Sequence, residues 1–148
     1  MRDLAITDTS PLIAFGKIDQ LPELYDVVAP ERVIAEFGSR PEWLVVEPVR
    51  DRARVSDLEG VLDGGEAEAI ALALERPGAS VLIDEARGRR VALGFGLEVV
   101  GTVGVLVRAR RTGLIEAVRP LLITLRDVHR FRVSSAPIEV ALRQAGES

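Results

Sequence analysis

The chain contains no cysteine. That removes disulfides, zinc–thiolate sites, iron–sulfur clusters and thiol nucleophiles together. It fits a reducing compartment, and the expected location is the cytoplasm. Histidine occurs once, at His129, so His-based triads and His-rich metal sites lack material. Lysine also occurs once, at Lys17. Aromatic residues are 4% of the chain, and Tyr25, Trp43 and Phe95 lie far apart. No stacking platform for single-stranded nucleic acid is visible. Whatever chemistry the chain performs must use carboxylates, hydroxyls and arginines.

Long apolar runs are also missing. The most membrane-like stretch, 91–107, is interrupted by Glu98 and by Gly94, Gly96, Gly101 and Gly104, and Arg108 follows it. It reads as helix, turn, strand and helix rather than a membrane span. The N-terminus runs straight into a short strand containing Asp3, so no signal peptide is expected. No internal repeat or linker divides the chain.

What is present is apolar residue in quantity, 47% of 148 positions, enough for one domain with a real core. The expected organisation is a single domain over 1–148. Its core would span about 3–128, with a C-terminal helical extension at about 129–148. The net charge of −4 hides an asymmetry. Residues 1–83 carry 8 basic and 16 acidic side chains, and residues 84–148 carry 11 and 7. On charge alone, solvated faces explain the asymmetry better than separate cation and anion surfaces do.

Apolar strand-like runs alternate with helical ones, which predicts a parallel sheet with helices on its faces. Strands are expected at 3–8, 27–29, 81–83 and 97–100, with Trp43 to Val46 extended. Helices are expected at 11–18, 21–25, from Pro30 to a stop at Gly38, and at 51–60. The strongest helix follows Asp63-Gly64-Gly65-Glu66, a D-x-x-E capping box, and Arg76-Pro77-Gly78 stops it. Further helices are expected at 85–94, 102–111 with Thr102 as cap, 114–127 despite Pro120, and 135–145. Residues 126–133 read as a loop or short strand, with His129 in it.

Two strands end alike, Ile6-Thr7-Asp8 and Leu82-Ile83-Asp84. In a parallel sheet both aspartates would lie on the carboxyl edge, where α/β folds bind ligands. Each aspartate alone is equally explained as a helix cap. Ser10 reads as the N-cap of the first helix, with Pro11 at its first position. Glu36 stands in the last turn before Gly38, where the helix dipole disfavours a negative charge. It shares the inward side with Val33 and Phe37, which suggests a cation partner, arginine or metal. Glu66 lies within the apolar sector of its helix, whereas Glu68 and Glu75 share the opposite face. Gly64-Gly65 lets the backbone approach something closely. Asp8, Glu36, Glu66 and Asp84, with Glu85 as a spare, would repel one another without a cation. All-oxygen ligation suits magnesium or manganese. Thr9 and Ser10 carry hydroxyls able to hold Asp8 or a metal-bound water. Arg87 and Arg90 share a helix face and are candidates to grip a phosphate.

At these residues the chain resembles PIN-domain proteins, among them the VapC-type ribonuclease toxins of bacterial and archaeal toxin–antitoxin pairs. The match is Asp8-Thr9-Ser10, Val33-Ile34-Ala35-Glu36, Gly65-Glu66-Ala67-Glu68-Ala69-Ile70 and Ile83-Asp84. It is similar above all to a branch of PIN-like nucleic-acid-binding proteins marked by D-T-S-P-L, L-D-x-G-E-x-E-A-I and I-D-E-x-x-G-R. The Gly101-Thr102-x-Gly104-Val105-Leu106 turn and the closing Gln144-Ala145-Gly146-Glu147 are similar too. The resemblance implies a three-layer α/β/α fold with a central parallel sheet. It also implies an RNA endonuclease dependent on Mg2+ or Mn2+, a cognate antitoxin and a homodimer. Carried over, the catalytic acids are Asp8, Glu36, Glu66 and Asp84. The sequence departs from the common toxin pattern twice. Glu66 stands where many toxins have aspartate, and Ile83-Asp84-Glu85 replaces a T-x-D turn, which leaves Asp84 and Glu85 both open as the last ligand.

Two other readings compete. One is a non-catalytic module that binds nucleic acid or protein, its interface supplied by helix 135–145 or by 91–107. The other is an aspartyl-phosphate hydrolase with Asp8 as nucleophile. The latter is disfavoured, because Ser10 stands where a second aspartate is wanted and lysine is nearly absent.

Overall fold

The computed structural model of the chain describes residues 2–15, 21–127 and 135–147. The elements in order are β1 (Asp3–Thr7), α1 (Thr9–Phe15), α2 (Leu21–Leu24), β2 (Tyr25–Ala29), α3 (Glu31–Phe37), β3 (Val45–Val46) and α4 (Arg52–Leu58). They continue with α5 (Gly64–Glu75), β4 (Ser80–Leu82), α6 (Ala86–Gly94), β5 (Glu98–Val100), α7 (Thr102–Arg111), α8 (Arg119–Asp127) and α9 (Ser135–Gln144). The chain packs as two compact units, 1–100 and 101–148.

The first unit holds a five-stranded, all-parallel sheet in the order β3-β2-β1-β4-β5. The architecture is the expected three-layer α/β/α class. β1 lies at the centre because its residues are apolar on both faces, and Ala5 and Ile6 are fully buried. It pairs with β2 through Ile6 and Val28, and with β4 through Thr7 and Leu82. The strand order reverses beside β1, which opens a crevice at the carboxyl ends of β1 and β4. Asp8 extends that ladder by one bond, its N–H donating to the Leu82 carbonyl at 3.0 Å.

Helix α5 is the core's central helix. Asp63 caps it and accepts from the Glu66 N–H at 2.8 Å, while Glu66 accepts from the Asp63 N–H at 3.4 Å, as a capping box requires. The helix packs on α3, α4, β1 and β4, and is buried from Gly64 through Ala73. Ala67, Ala69 and Ala71 allow this close approach on several sides. Glu68 therefore does not lie on a solvated face. It is buried, accepts from the Arg32 backbone N–H at 3.4 Å and pairs with Arg52 at 3.3 Å. Glu75, at the less covered end, takes the N–H groups of Arg50 and Asp51.

Other boundaries also move. Helix α1 begins at Thr9, so Ser10 sits inside its first turn and Asp8 takes the preceding, capping place. Helix α3 starts after Pro30 and ends at Gly38, whose φ of 86° is the left-handed conformation that glycine supplies. Gly101, not Thr102, holds the cap position of α7. The expected helix at 114–127 shortens to 119–127, with Pro120 in its first turn, where the missing N–H is harmless. In the second unit α7 packs on α9, and Val105, Leu106, Leu142 and Ala145 are buried there. Gly146, at φ 81°, turns the chain so that the Glu147 carboxylate caps α8 through the N–H groups of Val118 and Arg119. Lys17, His129 and most of 126–133 lie outside the described residues.

No helix among the described residues is long and apolar enough to cross a membrane.

Candidate active site

Four elements bring acids to one edge of the sheet. Asp8 follows β1, Glu36 lies in the last turn of α3, Asp63 and Glu66 open α5, and Asp84 follows β4. Parallel pairing of β1 and β4 makes the first and last of these neighbours.

Asp8 is 5% exposed. Burial pushes its carboxyl from the ordinary 3.8 up to about 7. The Thr9 N–H works against this by bonding to the charged form, and the nearby charges of Asp63, Glu36 and Asp84 reinforce it. Glu66 is also raised, from 4.5 to about 7, first by burial and then by the charge and side-chain hydrogen bond of Asp63, with Asp8 adding to it. Its Oε1 accepts within the capping box, but its buried Oε2 has no hydrogen-bond partner among the described residues.

Two glycines make room for these carboxylates. A Cβ at Gly65 would stand 2.9 Å from Glu36 Oε2 and 3.0 Å from Asp8 Oδ1. A Cβ at Gly88 would stand 2.5 Å from Glu66 Oε2 and 3.0 Å from Ile83 Cγ2. Gly65 thus leaves a gap between the acids of β1 and α3, and Gly88 seats the acid of α5.

Glu36 is exposed, not turned inward as its spacing from Val33 suggests, because the last turn of α3 leaves that side uncovered; its cation partner comes from its own helix. Arg32 Nε lies 3.3 Å from Oε1, and the Thr9 hydroxyl donates to Oε2 at 2.9 Å. The hydroxyl that reaches an acid is therefore that of Thr9, while Ser10 is half-buried in α1. Of the two candidates after β4, Asp84 is the one whose charge acts on Asp8. Glu85 is exposed and stands before α6.

Glu66 opens onto a cleft of about 780 Å³ whose walls include Val61, Asp63, Glu85, Arg87 and Arg90. Both arginines expected to share a face line it. Arg89 turns away and donates to the Ile83 carbonyl at 3.2 Å, tying α6 to the end of β4.

Asp63 and Arg32 were not among the sequence candidates. Asp63 was accounted for by its capping role, which concealed its charge. Arg32 had a readable signal, its i,i+4 spacing from Glu36.

The donor set is oxygen alone, crowded and under-compensated, with one orphaned buried oxygen and a glycine gap between two carboxylates. That chemistry fits a hard divalent cation. As the side chains stand, no group of three acids among the described residues is placed to hold one. A cation would have to draw them together.

A parallel α/β sheet with acids gathered at its switch point defines an α/β protein with a carboxylate-lined site. A PIN-domain family model matches residues 4–147, and the chain belongs to that family. PIN domains are in general nucleases and typically use divalent metal ions. No curated protein and no solved structure matches the chain significantly.

Proposed function

We propose that the protein is a metal-dependent endoribonuclease, using Mg2+ or Mn2+, and the toxin of a toxin–antitoxin pair. The observation that carries this reading is the buried Asp8 with the charges of Glu36, Glu66 and Asp84 acting on or with it, and the Gly65 gap between Asp8 and Glu36. In it, Asp8, Glu36, Glu66 and Asp84 would hold the cation, Glu66 through its buried, unpartnered Oε2. A bound divalent ion lowers the pKa of its water and stabilises charge on a phosphodiester under in-line attack.

The chain's own residues would do the rest. Thr9 orients Glu36 through its hydroxyl. Glu66, raised to about 7 by burial and by Asp63, would give up its proton as the cation binds. Arg87 and Arg90 line the cleft beside it and would engage backbone phosphates, which position a strand without reading its bases. The antitoxin partner and a homodimer belong to the same proposal and rest on the toxin resemblance.

The test is cleavage of a labelled RNA by purified protein with Mn2+, repeated with chelator and with Asp8→Asn. Cleavage lost in both, with the fold intact by circular dichroism, supports the proposal. Cleavage that survives both contradicts it. The second reading, a non-catalytic binding module, draws on the acids' failure to converge as they stand. RNA binding without cleavage at any metal concentration would favour it.

A further inference from the structure

Arg32 is placed in a way that neither helix propensity nor a surface ion pair requires. Its side chain is half exposed, so it had freedom to extend into solvent. Instead its guanidinium lies flat against Gly64. A Cβ there would meet Cζ at 2.6 Å and the two terminal nitrogens at 2.7 and 2.9 Å. Only glycine leaves this berth open. From it, Nε reaches Glu36 Oε1 at 3.3 Å. The backbone end is pinned as well, since the Arg32 N–H donates to the buried Glu68 carboxylate. With Thr9 on Oε2, both oxygens of Glu36 are engaged. The adjacent Gly65 gap separates that carboxylate from Asp8.

The Gly64-Gly65 pair thus has two occupants on its surface, a guanidinium on the first glycine and two carboxylates on the second. We propose that Arg32 is the pocket's built-in counter-ion: berthed on Gly64, it holds Glu36 and must be displaced before Glu36 can turn to a divalent cation. Arg32 is a positioning residue in this account, acting through Glu36. The inference rests on the metal-dependent reading of the pocket.

Calorimetric titration of Mn2+ into the full-length protein tests it. Four proteins are compared: wild type, Gly64→Ala, Arg32→Gln and the double variant. Gly64→Ala leaves every charge in place, and alanine suits the start of a helix better than glycine. It simply pushes the flexible guanidinium off its berth. It should tighten Mn2+ binding at least threefold. Arg32→Gln, which also removes a positive charge, should tighten it further. In the double variant Gly64→Ala should add nothing, because the berth is already empty; that non-additivity is the signature of a shared mechanism. Unchanged affinity in Gly64→Ala and Arg32→Gln, or further tightening in the double variant, overturns it while leaving the metal-dependent reading intact. Absence of Mn2+ binding in all four overturns both.

Discussion

Asp8 shows how one side chain is held against its own solvation. A buried carboxyl raised to about 7 is a cost that a protein without its ligand must carry. Below the ordinary value near 3.8 the folded and unfolded chains both hold the proton, and the cost is absent. Between there and about 7 the folded chain keeps a proton that the unfolded chain releases, so stability falls as pH rises. Above about 7 the loss is complete. Asp8→Asn removes it. In chelator at pH 8 the variant should be more stable than wild type by roughly 2–4 kcal/mol, from about 1.36 kcal/mol per pKa unit. At pH 5 the gap should fall to less than about half of that. Urea unfolding at the two pH values measures it, and a gap that widens toward pH 5 would contradict the assignment.

Gly88 makes a second residue-scale prediction. Gly88→Ala drives a methyl into Glu66 Oε2 and Ile83 Cγ2, and Ile83 is fully buried. Overpacking of this kind costs about 1–3 kcal/mol. A thermal shift of the metal-free protein reads the loss. Asp8 and Glu66 were recognisable from sequence as candidates, because strand ends and helical spacing are local patterns. The charge of Asp63 on Asp8 and the seat of Arg32 on Gly64 are not legible in the sequence, because both act through space; only the i,i+4 pairing of Arg32 with Glu36 is local. A capping box explains Asp63 without reference to Asp8, and the berth on Gly64 exists only once α3 lies beside α5.

Among the elements, α5 does the most. It supplies Glu66 and Asp63, both glycines of the pair, and much of the core. Ile70 is fully buried in it. Ile70→Ala should cost about 2–5 kcal/mol, read from denaturant unfolding, with a small value meaning that the core collapses around the site. The start and stop signals of the helices were clear in the sequence: Pro30 and Gly38 for α3, and Asp63 to Glu66 for α5. Those signals are short-range and chemical. The burial of Glu68 was not foreseen. A helical wheel divides a helix into one inner and one outer face, but α5 is covered from several directions, and a glutamate on its outer side meets Arg52 and the Arg32 amide instead of water. The helix expected at 114–127 starts at Arg119 instead, because Pro120 is tolerated in a helix's first turn and not in its interior.

At the scale of the molecule, the alternation of strands and helices revealed a parallel sheet, but its 3-2-1-4-5 order was not in the pattern. Order depends on which strands are apolar on both faces, and short strands such as β3 give little to judge by. The charge asymmetry of the two halves now has a partial location. Asp8, Glu36, Asp63 and Glu66 of the first half lie at the site, and Arg87 and Arg90 of the second half line the cleft beside Glu66. If RNA lies there, binding should weaken with salt. Arg87→Ala and Arg90→Ala should each make the log–log salt slope shallower by about 0.7, the value per phosphate contact for a single strand. An unchanged slope would place the RNA elsewhere.

Asp8 and its neighbouring acids are proposed to form a divalent-cation site, and calorimetric titration of Mn2+ into wild type and Asp8→Asn decides it. Wild type should bind saturably, with protons released below pH 7 as raised carboxyls give up theirs, and Asp8→Asn should bind at least tenfold more weakly. No binding by wild type, or equal binding by the two proteins, would contradict it.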